Sequence, residues 1–255
     1  MAHTPRLYLE MPLNSGEEIN LDARRAHYLT TVLRLREGAA VRVFNGTAGE
    51  FDATILHHAK RNLTLALGER VRAPEDAGGP CLAFAPIKRA RLEILVEKAV
   101  ELGVAELQPV ATRRAVVDRL NAERLCALMI EACEQSERLA PPVLRDMVAL
   151  TAFLGRGEPI LLADESGQGV PITDALPASN ARTLLVGPEG GFAEDERAVL
   201  QHCAQVTPVS LGAQILRAET AGLVMITCYQ ALAGSWRTAR ARAFTSARPR
   251  TSDER

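Results

Sequence analysis

The sequence predicts an α/β protein in two unlike parts: a small β-barrel-like domain, then a larger domain built on a mostly parallel sheet. Three observations carry this. Residues 1–72 hold short alternating runs of β-branched and aromatic residues around one helical stretch. Residues 73–80, APEDAGGP, show no apolar period and are rich in Pro and Gly, which marks a linker. Over residues 81–236 apolar strands alternate with amphipathic helices, the pattern of βαβ units covered on both faces.

In the first part, Arg6–Glu10 is expected as a short strand and Ala23–Leu35 as a helix, because Leu29, Val32, Leu33 and Leu35 recur near helical spacing. Val41–Asn45, Phe51–His57 and Leu63–Leu67 read as strands, and Asn45-Gly46 as a type I′ hairpin turn. One helix among short strands suggests a small barrel. In the second part, Cys81–Ile87, Val104–Ala111, Ile160–Ala163, Thr183–Val186 and Val206–Leu211 are expected as buried strands. Lys88–Leu102, Ala122–Glu137, Ala193–Cys203 and Ala218–Ala233 are expected as helices, with Gly103 closing the first. Residues 237–255 carry six arginines against two acids and read as a disordered basic tail.

The 255 residues have 47% hydrophobic and 24% charged content, which excludes collagen, coiled coil and disorder. Net charge is −1, yet it sums unlike parts: residues 1–72 hold ten basic and eight acidic residues, and the tail is also basic. Near-neutrality therefore leaves RNA open as a partner, through placed arginines rather than bulk charge. All but three of the 30 basic residues are arginine, a base composition effect or a preference for bidentate phosphate contacts. Five cysteines without CxxC or a zinc spacing point to buried thiols in a reducing compartment and to no metal. The N-terminus has no apolar signal region and no run nears membrane length, so the expectation is a cytoplasmic protein.

Four segments could carry chemistry. In LLVGPEGGF (184–192) an apolar strand enters a Gly/Pro loop before a helix whose first turn is acidic. Glycines there admit a ligand to the main chain, whereas the acids suit the helix dipole and oppose phosphate. No Walker or dinucleotide fingerprint occurs, so the loop is a tight turn or the site of a cofactor without phosphate contacts. In VSLGAQILRAETA (209–221), Arg217 stands at a helix start against the dipole preference, either for function or paired with a carboxylate. EACEQSER (131–138) reads as a solvated helix end. KRARLEILVEK (88–98) starts a helix with cations, to meet phosphate or to pair with Glu93.

Together these segments, with HYLTTVLRL at 27–35, FNG at 44–46 and EFDA at 50–53, resemble the RsmE-type 16S rRNA (uridine-N3) methyltransferases of the SPOUT superfamily. LVEKAVELGV (95–104), EACEQS (131–136), GPEGGF (187–192) and LGAQILRAETA (211–221) follow in family order, and the likeness spans about residues 5–235. The resemblance implies a PUA-like RNA-binding barrel, a SPOUT domain with a deep trefoil knot, a homodimer, and S-adenosylmethionine as methyl donor. Knots are otherwise almost absent from proteins, so no pattern argument predicts one.

Carried over by position, Leu185, Gly187, Gly191, Leu211, Gly212, Ile215, Leu216 and Ala221 hold the cofactor, with Leu185, Leu211 and Leu216 lining the adenine slot. Arg217 is the expected stabiliser of charge on the uracil, and Glu189 a second candidate, as proton acceptor or cofactor contact. Arg6, Arg24, Arg25, Arg34, Arg36, Arg113, Arg114 and Arg138 are expected on 16S rRNA of the small subunit. The sequence departs from the family in Glu137, where the pattern has Gly, and in a shorter segment at 120–130. Rival readings are a related tRNA enzyme, a non-catalytic RNA-binding protein of the same fold, and an enzyme of nucleotide phosphates.

Overall fold

The computed structural model describes residues 4–59, 62–75 and 78–237. The expected tail lies outside the described residues beyond Arg237, as do residues 76 and 77 of the linker. The N-terminal part consists of β1 (Arg6–Tyr8), β2 (Glu18–Leu21), α1 (Ala23–His27), β3 (Ala40–Asn45), β4 (Gly49–Ala59) and β5 (Asn62–Arg72). Its five strands form one sheet in the order β1-β3-β4-β5-β2, with β1 parallel to β3 and the other pairs antiparallel. The sheet curls over a core that includes Leu29, Val41, Val43, Ile55, Leu63 and Leu65.

The expected helix Ala23–Leu35 is two pieces. Asp22 caps α1 by accepting the Arg25 N–H at 2.8 Å. After His27 the backbone widens into a π turn, Tyr28–Val32, and Arg34 takes a left-handed φ of +57°. β-branched Thr30, Thr31 and Val32 favour helix weakly, and the Thr30 hydroxyl donates back to the Ala26 carbonyl at 2.8 Å. The hairpin at Asn45-Gly46 exists, but its turn is not type I′. The Asn45 side-chain oxygen accepts the N–H groups of Thr47 and Ala48, and the left-handed position falls three residues on, at Gly49, φ +92°. In β2, Ile19 and Leu21 alternate inward, but four residues give too short a period to read.

The C-terminal part runs β6 (Cys81–Phe84), α2 (Arg89–Glu101), β7 (Glu106–Ala111), α3 (Ala122–Ser136), β8 (Val143–Leu144), β9 (Val148–Ala149), α4 (Leu150–Leu154), β10 (Ile160–Ala163), β11 (Val170–Pro171), α5 (Ile172–Ala178), β12 (Thr183–Val186), α6 (Glu194–His202), β13 (Val206–Ser210) and α7 (Ala218–Leu232). The main strand order is β11-β13-β10-β12-β6-β7-β8, and every pair in it is parallel. Successive residues of β12 serve opposite faces. Leu184 joins the core shared with α2, α3, α5 and α7, while Leu185 joins the core under α4 and α6. From β6 the chain moves outward through β7 and β8, then returns on the other side through β10 and β12. That reversal puts a switch point at the carboxyl ends of β6 and β12, the position where parallel sheets take ligands.

The two parts meet at a polar, buried seam, and here the sequence reading is corrected. Arg6 and Glu50 are only 4% and 5% exposed in their side chains and pair at 2.7 Å. The Arg6 guanidinium also donates to the carbonyls of Cys133 (2.7 Å), Glu134 (3.1 Å) and Arg138 (3.3 Å) at the end of α3. It lies 4.0 Å over the Phe44 ring. Arg138 turns inward too, donating to the carbonyls of Val100 and Val104, both at 2.9 Å. Arg6 is buried away from any RNA surface, and Arg138 is only partly exposed, with its guanidinium committed inward. The helix-end carbonyls are unsatisfied acceptors at the negative end of a dipole, and cations fill them. EACEQSER is therefore the docking face of the barrel, not a solvated end: the Glu134 carboxylate accepts the Tyr8 N–H at 3.0 Å. Glu137 closes α3 with φ +62°, which explains why glycine suits that position. Of the cysteines only Cys133 is fully buried; Cys126 is exposed and the other three are partly so, against the expectation of buried thiols.

Candidate active site

Two glycine loops leave the carboxyl ends of strands in the parallel sheet. The first follows β12. Gly191 has φ +66° and donates to the Pro188 carbonyl at 2.9 Å, closing a tight turn. Gly187 has no room for a methyl group, since a Cβ there would sit 2.7 Å from the Phe192 ring. The turn delivers the chain to α6, whose Glu196 accepts the Ala193 N–H at 2.9 Å and the Arg113 N–H at 2.8 Å. One carboxylate thus ties the helix start to the segment after β7. Arg113 also pairs with Asp195 at 3.3 Å, and Arg114 donates to the Gly190 carbonyl at 3.0 Å. Both are exposed beside the loop.

The second loop follows β13. Gly212 has φ +116°, a conformation glycine alone adopts readily. Leu211 and Leu216 are half-buried and pack against the main core, whereas Ile215 is 82% exposed. Arg217 is the exposed N-cap residue of α7, and its side chain makes no ion pair among the described residues. The side chains of Leu185 and Ala221 are buried in the cores beneath the loops, against the expectation that Leu185 lines an open slot.

A residue that sequence reasoning did not single out joins the two loops. Arg91, in the first turn of α2, pairs with Glu189 at 2.5 Å and reaches Glu219 at 3.7 Å. Glu189 comes from the first loop and Glu219 from the helix that ends the second. Its signal was present in the cationic start of α2, where Arg89 takes the alternative that was foreseen, a 3.0 Å pair with Glu93. The second carboxylate oxygen of Glu219 is buried with no hydrogen-bond partner among the described residues, and so is the Thr112 hydroxyl. An unpaired buried acceptor is costly unless a donor arrives.

Arg24, Arg34 and Arg36 are exposed on the barrel, and Arg25 is half-exposed with Asp22 as partner. An open groove of about 1040 Å³ runs along another barrel face past Tyr8, Asn45, Arg70 and Pro141. It contains neither glycine loop. Among the described residues no His/Cys/Asp/Glu group could hold a metal, and no helix is long and apolar enough to cross a membrane.

Residues 79–230 match an RNA methyltransferase domain, and residues 21–67 an RNA methyltransferase PUA domain. The chain is 37% identical over 227 residues to the ribosomal RNA small subunit methyltransferase E of Rickettsia conorii, covering 87% of this chain and 93% of that one. It is 31% identical over 225 residues to the Synechocystis protein of the same name, covering 84% and 73%. A crystal structure of the Neisseria gonorrhoeae ribosomal RNA small subunit methyltransferase E bound to S-adenosyl methionine superposes with a TM-score of 0.80 at 27% identity, over 92% of this chain and 100% of that one. A Legionella pneumophila structure with the same cofactor gives 0.81 at 28% identity, over 90% and 98%. With its PUA-like barrel, its parallel α/β domain and both glycine loops in place, the chain belongs to the ribosomal RNA small subunit methyltransferase E family.

Proposed function

We propose that the protein methylates N3 of one uridine in 16S rRNA, on the small subunit, with S-adenosylmethionine as donor. The observation that carries the reading is the pair of glycine loops at the carboxyl ends of the parallel strands, joined through Arg91 and flanked by exposed arginines. The residues fit the donor. Main chain is open at Gly212 and partly exposed at Gly187, Leu211 and Leu216 offer an apolar wall, and the lone Glu219 oxygen awaits an N–H or O–H. Acids in the first turn of α6 exclude phosphate, which this donor lacks.

The cofactor supplies a methyl group already activated on a sulfonium, so the protein's work is positioning. Arg217, exposed at the start of α7, faces the negative charge that spreads onto the uracil carbonyls as the N3 proton leaves; its exposed guanidinium beside the second loop, without an ion pair among the described residues, supports this role. Glu189, held by Arg91, anchors the first loop. Arg113 and Arg114 flank that loop and contact phosphates near the target, while Arg24, Arg25, Arg34 and Arg36 hold flanking RNA on the barrel. The C-terminal segment through α7 is threaded as a trefoil knot, and two copies associate with Ile215 covered by the partner; its 82% exposure on a cofactor loop supports that. The protein works in the cytoplasm, in keeping with cysteines that are all free.

The test is methyl transfer from labelled donor to small ribosomal subunits and, separately, to tRNA, alongside calorimetric titration of the donor. Label on subunits alone supports the reading. Label on tRNA, or no heat of binding, refutes it.

A further inference from the structure

We propose that Arg6 is a positioning residue for the reaction: its buried guanidinium locks the barrel to the end of α3 and so sets the reach from the RNA-holding arginines to the cofactor loops. This rests on the proposed role of the barrel in holding RNA. One fork engages four acceptors from two domains, the Glu50 carboxylate and the carbonyls of Cys133, Glu134 and Arg138. A planar guanidinium satisfies such a set in one orientation only.

The rest of the seam is equally directional. Arg72 donates to the Glu137 carbonyl at 2.8 Å, and Tyr8 N–H to Glu134 at 3.0 Å. Phe44 crosses from the barrel into the C-terminal core, and Gly46 is so close to Ala140 that a Cβ would lie 2.7 Å from the alanine methyl. A buried ion pair is poor at adding stability over an apolar contact, and its best-attested use is to fix one arrangement. The lock also continues inward. Arg138, whose carbonyl Arg6 holds, donates to Val100 in the last turn of α2 and to Val104 just beyond it, and α2 at its other end carries Arg91, which pairs with Glu189 of the first loop and Glu219 at the start of α7.

Without the lock the covalent tie between domains is the chain between β5 and β6. Both RNA contacts would persist, but their joint engagement would drop with the effective concentration of one domain at the other. The experiment compares wild type with Arg6→Lys, Arg6→Met and Glu50→Gln, assayed well below their melting temperatures. Cofactor affinity is expected within two-fold of wild type. kcat/KM for small subunits is expected to fall ten-fold or more in both Arg6 variants, mostly through KM, and less in Glu50→Gln, which keeps its shape and can still accept from Arg6 though no longer from Arg72 as well. Solution scattering should show a larger maximum dimension for Arg6→Met.

Unchanged kcat/KM overturns the proposal. So does a loss of cofactor affinity in step with activity, since the seam then serves folding alone. If wild type itself leaves small subunits unmethylated, the substrate reading fails. The scattering arm then decides the lock on its own, and an unchanged curve for Arg6→Met refutes it.

Discussion

Replacing Arg91 by Met tests the join between the cofactor loops. The side chain spans Glu189 at 2.5 Å and Glu219 at 3.7 Å, and all three groups are partly buried. A partly exposed ion pair is worth roughly 0.5–1 kcal/mol, with the longer contact at the low end. Removing the cation also leaves two carboxylates close together without a counter-charge. The combined loss is about 1–2 kcal/mol, or roughly five- to thirty-fold in cofactor Kd. Calorimetric titration of S-adenosylmethionine reads this directly. Arg91→Lys keeps the charge but not the fork and should fall between the two. A Kd within two-fold of wild type for Arg91→Met, with melting unchanged, refutes the join. A lowered melting temperature with unchanged Kd assigns Arg91 to the fold alone.

Other substitutions probe neighbouring steps. Gly191→Ala forces a side chain into φ +66° and towards Glu165, and left-handed backbone costs an L residue about 1–2 kcal/mol, so cofactor titration should show up to about thirty-fold weaker binding. Arg217→Ala should lower kcat by roughly 10²–10³-fold, the usual cost of one charge-stabilising donor, while cofactor Kd holds; normal turnover would remove Arg217 from the chemistry. Substituting Arg36 on the exposed barrel surface should weaken RNA binding and flatten the plot of log K against log salt by about one unit. Burial pushes the Cys133 thiol up from an ordinary 9.0 to about 11, so the folded state keeps a proton that the unfolded chain loses. That contribution is whole below pH 9.0 and is lost as pH rises through about 11, so Cys133→Ala should lose less stability than wild type across that window in denaturant titrations.

Periodicity made the long elements legible. Ile160–Ala163 and Thr183–Val186 are strands with the bounds expected from their unbroken apolar runs, and α7 differs from expectation by its last residue only. Two-residue strands such as Val143–Leu144 have no period to read, and α5 was masked by Pro177 near its end. The π turn after His27 came from β-branched residues whose weak helix propensity was outvoted by leucine spacing.

In the site, the glycines and Arg217 were visible because they break local rules, a φ only glycine takes easily or a cation at a helix start. Arg6 and Arg138 misled because one guanidinium suits both phosphate and helix-end carbonyls, and only burial tells which it meets. Arg91 stayed hidden because its partners lie 98 and 128 residues away, and sequence spacing carries no such contact.

The central claim is methylation of uridine N3 in 16S rRNA. Small subunits lacking the modification are incubated with the protein and labelled S-adenosylmethionine, and the rRNA is then digested and mapped by mass. The account predicts one labelled nucleoside, N3-methyluridine, at a single 16S position, and none with Arg217→Ala. A methyl group on a different base or on ribose, or unlabelled rRNA beside labelled tRNA, contradicts it.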